Sequence, residues 1–237
     1  MLSEVVGEKL CYPEIRRSSL FFAEEALMRS RRLPVAGLFL LLAVPGLAAR
    51  GATLAELAAR NDIAAIARLG PAALPELARL YQAGSDEQKI RIAGIFNSLG
   101  QSSRAAELAL LADAHTPNVE LRVAVQYALG RVSDDPQVVD TLLAILRNDA
   151  NPIFRDHAGC ALANDQVHLT ERKRLRLYEG LIGTLSHPKR RVQNTAIAAL
   201  EVLTGQTKGF RALDPPEVKQ RSIEEWKRWL AQYRESL

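Results

Sequence analysis

The chain has 237 residues, of which 48% are hydrophobic and 5% aromatic, with a formal net charge of +4. That is apolar material for one substantial core, and the absence of alternating Val, Ile, Thr and Tyr runs excludes a strand-rich fold. Residues 1–50 hold seven basic and five acidic side chains, leaving 24 basic against 22 acidic in the rest. So even a balance excludes a protein that relies on broad phosphate neutralisation to hold nucleic acid.

In chain order, the first organised feature is an uncharged apolar run at 33–49, preceded by Arg29, Arg31 and Arg32 and closed by small residues. This is the pattern of a secretory signal peptide, with Gly46 and Ala48 as the small residues before a cut. It begins at Met28, so residues 1–27 read as an extension from a mis-assigned upstream start, and 28–49 as the leader. The alternatives are an uncleaved membrane anchor, for which seventeen residues is short, and a buried helix. Export to the periplasm or beyond is the expected location. With only Cys11 and Cys160 a disulfide framework is excluded, and Cys160 reads as a small core residue.

After the leader, Thr53 and Glu56 form a capping-box pattern and Asp62 caps a second short helix. Pro71 and Pro75 follow Gly70 in the first turns of the next one. Helices are predicted over 72–82, 86–99, 103–113, 118–129, 136–147, 152–163, 170–185, 189–203 and 216–235. Polar turns separate them, three carrying a Pro that opens the next helix: His115-Thr116-Pro117-Asn118, Asn148-Asp149-Ala150-Asn151-Pro152 and Ser186-His187-Pro188.

One unit recurs. Arg91, Arg122, Arg155 and Arg191 follow one another after 31, 33 and 36 residues, and Ala128-Leu129, Ala161-Leu162 and Ala199-Leu200 come at similar offsets behind the last three. A helix pair repeated at that interval buries its apolar face against its neighbours. The arginines, the Ala-x-x-Ala-Leu cores and the Asp/Asn-Pro turns over residues 70–204 resemble the HEAT-repeat family, specifically the short bacterial HEAT-like repeats also found in phycobilin lyases. The resemblance implies an all-α, right-handed α-solenoid over 53–204. It also implies that the arginines stack repeat on repeat, commonly against an acidic turn residue. Asp86 and Asp149 qualify, while the turns at 115–118 and 186–188 lack an acid.

Residues 205–237 depart from the repeat. They are similar to a tail that follows HEAT-like repeats in secreted bacterial proteins. Trp226 and Trp229 share one helical face and are expected to close the open end of the array as a capping helix.

No catalytic set emerges. Gly205-Gln206-Thr207-Lys208-Gly209 has the wrong spacing for a phosphate loop and reads as a connection. His157, Cys160 and His168 lack a fourth ligand, so no metal is expected. Arg172-Lys173-Arg174-Leu175-Arg176 and Lys189-Arg190-Arg191 are basic clusters, read as solvated helix faces, with an anionic ligand as the functional alternative. The reading is therefore an exported scaffold for protein–protein interaction, not an enzyme, without cofactor, whose second helices present Gln126, Tyr127, Asp156, His157, Gln193 and Asn194 to a protein partner. Tyr127 is the expected anchor. The rivals are an enzyme or binder acting on nucleic acid, of the DNA glycosylase kind that shares this architecture, and a phycobilin lyase-like protein.

Overall fold

A computed structural model describes residues 52–237; the expected extension at 1–27 and leader at 28–49 lie outside the described residues. Eleven α-helices fill that span: α1 Leu54–Ala59, α2 Ile63–Leu69, α3 Leu74–Ala83, α4 Asp86–Leu99, α5 Arg104–Ala112, α6 Val119–Val132, α7 Pro136–Asn148, α8 Pro152–Asn164, α9 Glu171–Thr184, α10 Arg190–Thr204 and α11 Pro216–Glu235. A single 3-10 turn, Pro71–Ala73, precedes α3.

Local chemistry sets most boundaries. Thr53 and Ser85 close capping boxes with Glu56 and Gln88, and Asp62, Ser103, Asn118, Asp135, Asn151 and Thr170 each accept a bond from an amide of the turn they start. These side chains satisfy amides that have no partner inside the helix. Pro136 and Pro152 open α7 and α8, where the missing N–H costs least. Gly100 and Gly205 end α4 and α10 in the left-handed conformation, at φ 58° and 70°, which glycine adopts without strain.

Helix α6 departs from expectation. The sequence Leu129-Gly130 suggests a stop, yet the helix continues to Val132. Gly130 marks a close approach: a Cβ there would stand 2.7 Å from the Asp165 carbonyl oxygen and 2.3 Å from the Gln166 amide nitrogen. Gly100 ends a helix, while Gly130 lets the segment after α8 lie against one.

The helices pack in a regular order. In one row α4, α6, α8 and α10 follow each other; on the other side α3 packs on α5, α7 on α9, and α9 on α11. Each helix of the first row also meets the one before it in sequence. Phe96, Leu129, Leu162 and Leu200 of the first row and Leu110, Leu142, Leu146, Leu177 and Leu181 of the other helices are all buried in one hydrophobic core. Alanines at 93, 128, 158, 161, 196 and 199 are buried too, and their small size lets neighbouring axes approach. The result is all-α, with pairwise packing consistent with a helical array.

The four repeat arginines do not play one role. Arg122 donates to the Asp149 carboxylate of the next pair and, through Nε, to the Ala114 carbonyl at 3.1 Å. Arg155 instead donates to two carbonyls of its own preceding turn, Asp149 at 2.6 Å and Ala150 at 3.0 Å. Arg191 reaches back to Asp156, and Arg91 pairs with Glu87 inside α4 at 2.9 Å. The second acid expected to join the ladder, Asp86, accepts from Asn118 at 2.8 Å. An uninterrupted arginine–acid ladder is thus absent among the described residues.

Helix α11 packs on α9. Trp226 is fully buried and its indole N–H donates to the Thr207 carbonyl at 3.2 Å. Trp229 is half-buried, edge-on to Tyr178 and stacked with Tyr233 at 5.4 Å. The opposite side of α11 carries Gln220, Arg221, Glu225, Arg228 and Gln232, all exposed, a polar outer surface that suits the last element of a stacked array. No described helix is long and apolar enough to cross a membrane.

Candidate functional site

The residues expected to form a partner surface fall on α6, α8 and α10. At the middle of that row the Tyr127 hydroxyl lies 2.6 Å from His157 Nδ1, with the rings edge to face at 5.4 Å. Burial holds His157 below its ordinary pKa, against the opposing pull of Asp156. At pH 7 the imidazole is therefore neutral, and the ring tautomer sets which of Nδ1 and the phenol oxygen donates. Beside this couple, Asp156 accepts from the Arg191 guanidinium and from Thr195 Oγ1 at 3.5 Å. Three consecutive helices of the row are tied side chain to side chain, and Asn194 is exposed next to them.

Two of the six residues are not at the surface. Gln126 is fully buried, and neither atom of its amide has a hydrogen-bond partner. Gln193 is 5% exposed; its amide donates to the His187 carbonyl at 2.6 Å and its oxygen faces Lys219 Nζ at 3.5 Å. Helical phase put both on the outer face. The bonds to His187 and Lys219 make Gln193 a tie between the turn before α10 and the final helix.

The metal-like set does not assemble. His157 faces Tyr127, while His168 Nε2 lies 3.0 Å from both the Arg131 carbonyl, one repeat back, and the Gly100 carbonyl, two repeats back. Cys160 is 6% exposed, as expected of a core residue, and it is not a free thiol. Among the described residues no three His, Cys, Asp or Glu side chains are grouped to hold a metal ion. The loop at 205–209 is a connection: Lys208 bonds Gln206 and lies over the Trp226 ring at 5.7 Å.

The first basic cluster is largely neutralised. Lys173 pairs with Asp134 at 2.5 Å, Arg176 with both Asp140 oxygens at 2.7 and 3.0 Å, and Arg174 with Glu171 at 4.0 Å. Arg172 donates to the Leu237 carbonyl at 2.9 Å. In the second cluster, Arg191 is taken by Asp156, and among the described residues no ion pair involves Lys189 or Arg190.

Sequence reasoning missed the segment after α8. Asp165 is largely buried beside Arg131, and burial pushes its carboxyl up to about 7. Arg131 in turn donates to the Asn97 carbonyl at 3.1 Å. The ends of α4, α6 and α8 meet there through Arg131, Asp165, Gln166 and His168. The available signal was the spacing: Arg131 to Asn97 spans 34 residues and His168 to Arg131 spans 37, one repeat each.

A hollow of about 80 Å³ lies between α1, α3 and α4, lined by Ala55, Ala58, Leu80, Arg91 and Ile92 among others. It is small and mostly apolar, with only Gln88 and Arg91 as polar walls. No protein-family model matches the chain, and no curated protein matches it.

Proposed function

We propose that residues 53–204 form a HEAT-like, right-handed α-solenoid, closed by α11, that works as an exported scaffold, binding a protein partner through the row α4, α6, α8 and α10. The observation that carries the reading is the Tyr127–His157 couple. An aromatic side chain, fixed by a 2.6 Å bond and flanked by Asp156, Arg191 and Asn194, stands in the middle of a row of stacked helices. A pre-ordered aromatic loses little freedom on binding and contributes disproportionately at interfaces. Catalysis is not part of this proposal.

The test places a photo-crosslinking amino acid at Asn194, or at Gln232 on α11 as control, in the full chain expressed in its own cells. A discrete protein adduct from position 194, lost with Tyr127→Ala and not formed from 232, is the expected result. Equal labelling from both positions, or adducts indifferent to Tyr127, overturns the reading. Cell fractionation with N-terminal sequencing tests the export: a mature chain beginning near residue 49 is expected, and recovered peptides from 1–27 overturn the start at Met28.

A further inference from the structure

The second basic cluster differs from the first because the array supplies it with too few acids. Arg122 is 8% exposed; the Asp149 carboxylate neutralises it, and its guanidinium lies over the Phe154 ring at 4.0 Å. Arg155 holds the same place one helix later and is equally buried, at 8%. It has only carbonyls for partners, and its Nε is buried without one.

The reason lies in the following repeat. Counting from the capping residues Asn151 of α8 and Lys189 of α10, the position of Asp149 is taken by His187, that of Phe154 by Val192 and that of Arg155 by Gln193, which donates to the His187 carbonyl as Arg155 does to the Asp149 carbonyl. The turn Leu185-Ser186-His187-Pro188-Lys189 contains no acid. The bonds from Arg191 and Thr195 to Asp156 fix α10 beside α8 in register, so this turn lies at the same end of the row as Arg155. Lys189 and Arg190 are exposed there. Lys189 is the N-cap of α10 and makes no side-chain cap bond, unlike the caps of α4, α6 and α8. Cations at a helix N-terminus stand at the positive end of its dipole and repel it. Buried guanidinium, missing counterion and uncapped basic turn all favour an incoming anion.

We propose that this end of the row, formed by Arg155, Lys189 and Arg190, docks an acidic segment of a partner protein, one carboxylate taking beside Arg155 the place that Asp149 takes beside Arg122. The inference rests on the scaffold reading and gives the partner its chemistry. A carboxylate is favoured over a nucleic-acid backbone because the array uses a carboxylate at this position in the preceding repeat. The cations that could extend a phosphate track along α9 are bound to Asp134, Asp140 and Glu171. A guanidinium and a carboxylate also form strong charge-assisted bonds.

Fluorescence anisotropy of a labelled oligoglutamate peptide on the full chain, at low ionic strength, tests this. Lys189→Glu with Arg190→Glu is expected to weaken binding about tenfold or more, while Arg60→Glu with Arg221→Glu, an equal charge change on exposed residues elsewhere, leaves it within about twofold. Ser186→Asp supplies an acid beside the vacant position. It is expected to raise the melting temperature by about 1–2 °C and to weaken peptide binding. Equal losses from the two double variants overturn the site, as does unchanged peptide binding by Ser186→Asp. Oligothymidylate binding as tight as the peptide, with the same dependence on Lys189 and Arg190, reassigns the surface to nucleic acid. Failure here with the Asn194 adduct intact leaves the scaffold reading standing; loss of that adduct with peptide binding intact removes the Tyr127 face alone.

Discussion

Arg122 and Asp149 form a largely buried ion pair across a repeat boundary, with side chains 10% and 12% exposed. The aspartate also caps its own turn, accepting the Asn151 amide at 2.9 Å. Removing one partner of such a pair strands the other charge away from water, which costs more than the pair itself contributes. Asp149→Ala is expected to destabilise the protein by about 3 kcal/mol, and Arg122→Met, which keeps much of the packing over Phe154, by less. Urea denaturation reads both. An unshifted midpoint for Asp149→Ala contradicts a structural role for the pair.

Two helix glycines should respond to alanine with opposite signs. Gly94 is exposed in α4, and a Cβ there meets nothing within 4 Å. Gly94→Ala should stabilise by about 0.5–1 kcal/mol through helix propensity. A Cβ at Gly159 would stand 2.2 Å from Thr195 Cγ2. Thr195 cannot turn away freely, since its hydroxyl bonds the Arg191 carbonyl at 3.0 Å. Gly159→Ala should therefore cost about 1–3 kcal/mol. Thermal melting of the two variants is the check, and a gain from Gly159→Ala would mean that α8 and α10 are not this close.

Asp165 gives the fold a pH dependence. The unfolded chain releases this proton near pH 4 and the folded chain near pH 7, because burial outweighs the pull of Arg131. Between those values folding takes up a proton, so stability falls as pH rises through the window and the penalty is constant above it. Asp165→Asn removes the ionisation. It should stabilise the protein at pH 8 by about 1–3 kcal/mol and change little at pH 4. A gain that is the same at both pH values would show that the carboxyl ionises normally in the folded state.

The two tryptophans of α11 should differ. Trp226 is fully buried with its indole N–H bonded to Thr207, so Trp226→Ala should cost about 3–5 kcal/mol. Trp229 is half-buried among Tyr178 and Tyr233, and its loss should cost about 1–2 kcal/mol. Chemical denaturation ranks them; the reverse order would mean that the closing contact runs through the half-buried pair Trp229 and Tyr233.

Local features of the sequence anticipate the helices well. The capping box at Thr53, the cap at Asp62 and the proline at 152 act on groups a few residues away, whereas Pro117 and Pro188, also expected to open helices, stand one residue before the caps Asn118 and Lys189. The segment predicted at 86–99 matches α4. Helical phase was a poorer guide to the surface. It assigns a residue to a face of its own helix, but whether that face is open depends on the helices beside it. Gln126 and Gln193 were expected outside and are buried.

The sequence by itself determined which segments are helical, where they are capped, and the interval of about one helix pair at which partners recur. Those properties depend on backbone hydrogen bonding and apolar spacing within a short stretch. Only the tertiary structure decided what each repeat arginine does. Arg122 finds an acid, Arg155 finds carbonyls and Arg191 reaches backward, because the partner of each is set by a turn about thirty residues away and by how two helices register there. The same dependence on a distant turn leaves Lys189 and Arg190 without the acids that neutralise Lys173 and Arg176.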